Sequence, residues 1–257
     1  MLERSGMPLA LLWPHLVNGL LELRQDGSGH AHLDAAWALA EQLDEPLRRL
    51  PVLSALAERI WLTGVTDDRV VTLGVDAMST WSESQAATWG LGDLAVWLHR
   101  LGLSTEPPAA VAIPFRFSLS EEHDEAASWW RQAGAVFDEA MACADAADPS
   151  LRTQGVERLD LLGATATADR IRRQMRLQGL TNVPQRPRVS TRANPAGLTN
   201  RQLDVAKLVA RGFSNVEIAA RLYISPKTAD HHVSAVLAKL GAPSRRAIIV
   251  QAEELGL

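Results

Sequence analysis

Cysteine is almost absent from this chain of 257 residues, in which Cys143 stands alone. A single thiol forms neither an internal disulfide nor a zinc site built on several thiolates, so a disulfide-stabilised scaffold and a structural zinc finger are both excluded. This composition is typical of the reducing cytosol. We therefore expect a cytoplasmic protein that holds no metal or other cofactor.

Long apolar runs and the common catalytic motifs are missing as well. The longest near-uniform apolar stretch, Met7 to Trp13, is far shorter than the ~18 residues that begin to suggest a membrane span. None of the three lysines follows a glycine, which excludes the Gly-Lys pair of an ATP-binding P-loop. The chain also lacks HExxH spacing and a GxSxG elbow. These absences predict no membrane partner and no enzymatic activity.

Positive charge is scarce in one part of the chain and abundant in the other. Residues 1–180 carry 15 Lys and Arg against 25 Asp and Glu, whereas residues 181–257 carry 11 against 5, so the overall charge of −4 divides into −10 and +6. All three lysines lie in the second part. An acidic body joined to a small basic tail indicates a nucleic-acid partner.

Helical periodicity dominates the acidic part, and no alternating strand pattern competes with it. The predicted body helices span residues 32–43, 50–62, 68–80, 88–100, 120–132, 135–146, 149–162 and 165–178. Successive helices of this length with short connections predict a helical bundle or a TPR-like helical-repeat body. The chain is therefore predicted to be all-α.

Three prolines separate this body from the basic tail. A continuous helix is forbidden here by Pro184, Pro187 and Pro195, and the segment shows no apolar periodicity. The predicted organisation is a helical regulatory or interaction domain at 1–180, a linker at 181–196 and a small domain at 197–257.

The tail has the start signals of four short helices. Thr199 with Gln202, and Ser214 with Glu217, have the spacing of capping boxes that open the first two helices. Ser225 followed by proline begins a third helix, 225–240, after a turn too tight for an antiparallel hairpin. A fourth helix is expected over residues 244–255.

The outward face of the third helix is polar and is not needed for the small core. An α-helix fits the major groove of DNA, and short polar side chains in its first two turns reach base edges. The residues predicted for this face are Lys227, Thr228, Asp230, His231, Ser234 and Ala238.

From Leu198 to about Ala252 the chain resembles, without gaps, the LuxR (GerE-type) helix-turn-helix, in the residues LTNRQLDVAKLVARGFSNVEIAARLYISPKTADHHVSAVLAKLGAPSRRA. The resemblance implies a bacterial, sequence-specific regulator that binds double-stranded DNA as a homodimer. It assigns base reading to Asp230, His231 and Ser234, and a packed structural role to His232. Implied phosphate or positioning contacts are Ser214, Asn215, Ser225, Lys227, Thr228, Lys239 and Arg245. Implied dimer contacts, on the fourth helix, are Ile248, Ile249 and Ala252.

Three positions depart from the commonest pattern of that family. Asp230 stands where lysine is usual, Ala229 where valine is usual and Gln202 where glutamate is usual. A carboxylate in the major groove accepts a hydrogen bond from cytosine N4 but repels phosphate. The preferred DNA site is therefore expected to differ from that of relatives with lysine.

Residues 30–196 resemble, less specifically, the helical region ahead of the helix-turn-helix in large ATP-binding LuxR-type regulators. The resemblance rests on AWALAEQLDEPLRRLPVLSALAERIWLTG, GDLAVWLHRLG, LLGATATADRIRRQMRLQGL and RVSTRANPAGLTNRQ. Two alternatives follow: a naturally short regulator, or the C-terminal part of a longer one. A further alternative is a helical protein-interaction scaffold whose tail mainly dimerises. In each case the body is a candidate to bind a partner protein or a small effector.

Overall fold

The computed structural model describes residues 10–43, 45–103, 111–181, 183–186 and 194–252, together with residues 255 and 257. Every regular element within these ranges is helical, which confirms the all-α prediction. The chain separates into two compact units, Met1–Pro184 and Gln185–Leu257. Of the predicted linker 181–196, residues 182 and 187–193 lie outside the described residues.

The N-terminal unit contains ten α-helices among its described residues. In chain order they are α1 Leu12–Asp26, α2 His30–Ala40, α3 Pro46–Thr63, α4 Val75–Thr80, α5 Thr88–Arg100, α6 Ile113–Leu119, α7 His123–Ala133, α8 Val136–Asp145, α9 Pro149–Leu161 and α10 Thr165–Leu177. A π-helical turn, Val70–Gly74, precedes α4, and a short 3-10 turn, Gln85–Ala87, precedes α5.

The predicted body helices agree with this structure except at three places. The helices α1 and α6 were not predicted, and the segment expected as one helix over 68–80 contains the π-helical turn. Proline near the start of a helix is tolerated because the first-turn N–H groups have no intrahelical acceptor. Pro14 in α1 and Pro114 in α6 both lie in such a first turn and do not break the helix.

Consecutive body helices pack against one another, and the last helix returns to the first. The helix α10 contacts α1 and α3. Arg170 on α10 donates from Nε to the carbonyl oxygen of Trp61 on α3, at 2.9 Å. The N-terminal unit is therefore a bundle whose first and last helices meet, with one large apolar core and a smaller cluster to which α6 and α7 contribute Phe115, Ala126 and Trp130. The largest fully buried side chains of that core include Leu12, Leu33, Leu56, Leu94 and Leu159.

The second unit begins with a 3-10 turn, Pro195–Gly197, and continues with α11 Asn200–Ala210, α12 Asn215–Leu222, α13 Pro226–Leu240 and α14 Arg245–Val250. Its third helix agrees with the prediction, but its fourth is shorter than the expected 244–255. The helix ends after Val250, and Gln251 leaves helical geometry at φ −102° and ψ 16°. Residues 251 and 252 form a turn, and Leu257 packs against the apolar core of the domain, so tertiary packing overrides the favourable helix propensity of the sequence after Val250. In the described ranges of both units, no helix has the length and apolar character needed to cross a bilayer.

Candidate nucleic-acid interface

A small apolar core fixes the relative positions of α11, α12 and α13. Fully buried side chains come from each of these helices: Val205 and Val209 from α11, Ile218 from α12, and Val236 from α13. Ala229, also fully buried on α13, and Ala219, on α12, are small. Small side chains at a crossing let two helix backbones approach closely, so α13 is held against the other two helices along its inner side.

Both predicted capping boxes are present. The Thr199 hydroxyl accepts from the backbone N–H of Gln202, and the Gln202 side chain accepts from the N–H of Thr199 at 3.0 Å. At the start of α12 the N–H and hydroxyl of Ser214 both donate to Glu217 Oε2 at 2.7 Å. These two bonds hold the pKa of Glu217 below its usual range. At both helix starts, nearby side chains accept hydrogen bonds from backbone N–H groups of the first turn. The start of each helix is therefore determined by its local sequence.

A three-residue turn joins α12 to α13 and sets the direction of the second helix. Tyr223 adopts the left-handed conformation, φ 52° and ψ 48°, and the N–H of Ile224 donates to the carbonyl of Ala219. Ser225 then caps α13 by accepting from the N–H of Thr228 at 3.0 Å, and Pro226 occupies the first helical turn. This is the compact helix, turn and helix arrangement that the sequence predicts.

The three predicted base-reading residues lie together on the outer face of α13. Asp230, His231 and Ser234 are all exposed, and their spacing places them on adjacent turns of one helix face. His232 is half-buried and lies on a different part of the helix surface. The arrangement presents a short polar row of hydrogen-bonding side chains that nothing else in the described domain covers.

Asp230 is not a free carboxylate but the end of a hydrogen-bond chain. Asn215 on α12 donates from Nδ2 to Asp230 Oδ1 at 2.9 Å, while its own Oδ1 accepts from Arg245 at 2.8 Å. Arg245 also donates to the carbonyl of Phe213 at 2.5 Å. Asn215 on α12, itself held by Arg245 on α14, therefore fixes the position of one carboxylate oxygen of Asp230 on α13.

The remaining predicted phosphate contacts differ in whether their side chains already have hydrogen-bond partners within the domain. The hydroxyls of Ser225 and Thr228 lie 2.7 Å apart and bond to each other. Lys239 donates to the carbonyl of Gly197 at 3.0 Å. Lys227, in contrast, is exposed and has no hydrogen-bond or ion-pair partner among the described residues. Of this predicted set, Lys227 is therefore the cation whose side chain is free within the described domain.

The predicted dimer residues separate into two kinds, and Ala252 lies in the turn after α14 and not on the helix as predicted. Ile248 is fully buried in the core of the domain, so it has no surface left for a partner. Ile249 is 41% exposed, Val250 is 77% exposed and Ala252 is half-buried. Val250, which the sequence reasoning did not single out, extends the exposed apolar surface beside Ile249. The sequence could have indicated this exposure, because a residue two positions after the buried Ile248 lies on the opposite side of the helix.

A family model for bacterial regulatory proteins of the luxR family matches residues 196–252. This range covers the capped helices, the tight turn and the polar row just described. Residues 196–252 form a helix-turn-helix domain of the luxR family.

Named relatives match this chain over a stretch of about the same length as the luxR-family domain. A protein of Mycobacterium tuberculosis (strain ATCC 25618 / H37Rv) named as an HTH-type transcriptional regulator, Rv0890c, is 46% identical over 59 residues. Mb0914c of Mycobacterium bovis (strain ATCC BAA-935 / AF2122/97), also named as an HTH-type transcriptional regulator, is 44% identical over 59 residues. Both matches cover 23% of this chain and 7% of the relative. The oxygen regulatory protein NreC of Staphylococcus aureus (strain JH9) is 36% identical over 52 residues, 20% of this chain and 24% of NreC. No solved structure is significantly similar to the chain.

Proposed function

We propose that this chain is a sequence-specific transcriptional regulator of bacteria that places α13 in the major groove of double-stranded DNA. Supporting this is its luxR-family domain at residues 196–252, together with the exposed polar row on α13. In this proposal residues 1–180 are the regulatory body, 181–196 the linker and 197–257 the DNA-binding domain. The protein acts in the cytoplasm, where the bacterial chromosome lies, and it is not an enzyme.

The single observation that carries the proposal is the fixed position of Asp230 on this face. A carboxylate whose orientation is set before binding loses little conformational entropy when it accepts a hydrogen bond. Its natural partner in the major groove is the exocyclic amine of cytosine. Asp230 is therefore proposed to specify a cytosine, with His231 and Ser234 contacting neighbouring base edges and Lys227 neutralising phosphate.

Charge supports the use of two domains per DNA site. Residues 197–257 carry 8 basic and 5 acidic residues, a net charge of +3. So modest a charge neutralises few phosphates, and the phosphate contacts supply most of the sequence-independent affinity. Two domains related by a two-fold axis on two half-sites double that number. The exposed side chains of α14 are the proposed dimer surface.

Binding of genomic DNA fragments to the full chain, measured across a salt series from about 50 to 300 mM, tests this function. We expect a few fragments to bind much more tightly than the rest, and all affinities to fall as salt rises. Weak binding that is the same on every fragment would instead favour the rival function, a protein-interaction scaffold whose tail mainly dimerises.

Replacing Asp230 by lysine is expected to change the preferred sequence. A lysine ammonium donates to guanine O6 and N7, whereas the carboxylate accepts from cytosine N4, so discrimination at the contacted base should change by at least about tenfold. Selection from random double-stranded DNA with both proteins measures the two preferences. Asp204→Lys, an identical change at an exposed position of α11, is the matched control. It should raise affinity for every sequence and leave the selected motif unchanged. Identical motifs from Asp230→Lys and the unmodified chain would remove Asp230 from base reading.

A further inference from the structure

The N-terminal unit contains a cavity of about 30 Å³ where charged side chains from three helices meet aromatic rings. Arg24 comes from α1, Asp93 and Arg100 from α5, and Asp138 from α8. The aromatic part of the wall consists of Trp97, Phe115, Trp130 and Phe137. Charged groups are rare inside an otherwise apolar bundle, because removing them from water is costly.

Both arginines at this cavity are already paired with other carboxylates. Arg24 forms two hydrogen bonds of 2.8 Å to Glu58, a bidentate pair, and its guanidinium lies 3.6 Å from the centre of the Phe137 ring. Arg100 bonds to Asp145 at 2.6 and 3.0 Å. Among the described residues, neither Asp93 nor Asp138 forms an ion pair, whereas Glu58 and Asp145 do. Only two guanidinium groups are therefore available to balance four carboxylates, those of Glu58, Asp93, Asp138 and Asp145.

Asp93 and Asp138 experience this excess of negative charge. Burial and, after it, the neighbouring Asp138 charge raise the pKa of Asp93 to about 6, although a hydrogen bond with Ser54 and the charge of Arg24 act in the opposite direction. Burial also raises the pKa of Asp138. Two poorly paired carboxylates with raised pKa in a cleft are costly to retain, and this combination is typical of a binding site whose ligand supplies the missing positive charge.

A second cavity, of about 140 Å³, shares Val96, Arg100 and Ser118 with the first. Its remaining polar lining is His99, Glu121, His123 and Asp145. Nδ1 of His123 is buried and has no hydrogen-bond partner within the part of the chain that the structure describes. The larger cavity thus offers space next to the charged pocket, a further carboxylate and an unsatisfied ring nitrogen.

We propose that these two adjoining cavities bind an aliphatic diamine, with one ammonium group between Asp93 and Asp138 and the chain leading past Arg100 towards Glu121. The first cavity accepts a group the size of an ammonium ion. The faces of its aromatic rings attract cations. An anion is repelled by the excess carboxylates, and a neutral ligand leaves their charge uncompensated. In the described residues no three His, Cys, Asp or Glu side chains are arranged to hold a metal ion.

This inference concerns the N-terminal unit alone and does not depend on DNA binding. Calorimetric titration of the full chain with 1,4-diaminobutane tests it, with 1,4-butanediol as the uncharged probe of equal length and magnesium chloride as a metal control. We expect saturable binding of the diamine and none of the diol or of magnesium. Binding of the diol as tight as that of the diamine, no binding of the diamine, or equal binding of magnesium would each overturn the proposal.

Two variants locate the site. Asp93→Asn and Asp138→Asn should each weaken diamine binding at least about tenfold, since each removes one charge next to the ammonium group. Glu157→Gln is the matched control, because it also replaces a carboxylate by an amide, at an exposed position of α9 outside both cavities. This variant should bind the diamine as the unmodified chain does. Asp93→Asn removes a charge that burial disfavours, so its thermal unfolding midpoint should not fall. Unchanged binding by a folded Asp93→Asn variant would contradict the proposed site.

Affinity should also fall as the pH is lowered through about 6, because protonation of Asp93 competes with the cation. The other ionisable groups around the two cavities are Arg24, Glu58, His99, Arg100, Glu121, His123, Asp138 and Asp145. Because the pKa of Asp138 is also raised, some pH dependence should remain in Asp93→Asn, and the loss relative to the unmodified chain measures Asp93. An identical pH dependence in both proteins would exclude Asp93 as the ammonium partner.

Discussion

Gly155→Ala is expected to lower the free energy of unfolding of the N-terminal unit by about 3 kcal/mol or more. Gly155 lies on α9 where this helix crosses α8. A Cβ atom at this position would lie 2.6 Å from the carbonyl oxygen of Ala140 and 2.7 Å from the backbone nitrogen of Ala144. Both are main-chain atoms of α8, so no side-chain rotation relieves the overlap. The two helices would have to separate, and the packing between them would be lost.

Gly74→Ala is the matched control for that prediction. Gly74 is also buried and has helical dihedral angles, φ −67° and ψ −44°. Its nearest neighbours for an added Cβ are Val70 Cγ1 at 3.6 Å and Leu94 Cδ1 at 3.9 Å, which are ordinary van der Waals contacts. Alanine also costs less backbone entropy than glycine in a helix. Gly74→Ala is therefore expected to leave stability unchanged or to raise it by up to about 1 kcal/mol.

Urea unfolding followed by tryptophan fluorescence measures both variants. All eight tryptophans lie at or before position 130, so the signal reports the N-terminal unit and not the tail. The difference between the midpoints of the two variants is the decisive quantity. If Gly155→Ala unfolds at the same urea concentration as Gly74→Ala, the close approach of α8 and α9 is incorrect.

The helix-turn-helix domain could be predicted almost completely because its signals are local. Thr199 with Gln202, Ser214 with Glu217, and Ser225 with Pro226 each act within four residues, and each forms the predicted cap. The end of α14 is the exception. Its apolar positions continue past Val250 in the sequence, but periodicity alone does not show that the chain turns there and that Leu257 packs against the core of the domain.

The arrangement of side chains around Asp230 could not be predicted in the same way. Asn215, Asp230 and Arg245 belong to three helices and are 15 and 30 residues apart along the chain. The resemblance assigned Asn215 and Arg245 to phosphate contacts but gave no sign that their side chains bond to each other, or that Asn215 bonds to Asp230 on the proposed base-reading face. Such a network depends on how the helices cross, which a one-dimensional pattern does not encode.

The charged cavity of the body illustrates the same limit. Arg24, Asp93 and Asp138 show no motif spacing, and each looks like a surface residue when its own helix is considered alone. Only the closure of the bundle brings them to one place. Sequence reasoning therefore recovered the class of the body and most of its helices, but not the cluster of charges inside it.

Ile249→Ser is expected to weaken binding to a DNA site with two half-sites by about 100-fold, because linked half-sites gain affinity through effective concentration. Ile249 is 41% exposed beside Val250 on α14, while the adjacent Ile248 is fully buried and anchors the helix. A serine at position 249 removes apolar contact area from the proposed dimer surface on both copies at once, since a two-fold interface uses the same residues twice. The core of the domain is left intact.

Sedimentation equilibrium and DNA titration of the full chain separate the two effects of that substitution. Ile249→Ser should shift the chain towards monomer and lose affinity for paired half-sites, yet bind a single half-site as the unmodified chain does. Val216→Ser, on α12, is the matched control because Val216 is also an exposed apolar residue, at 66%, and lies on a different helix. It should leave the oligomeric state unchanged. Full affinity for paired half-sites from a monomeric Ile249→Ser chain would show that one domain alone binds the DNA. The modest charge of +3 would then have to be supplemented by basic side chains outside residues 197–257.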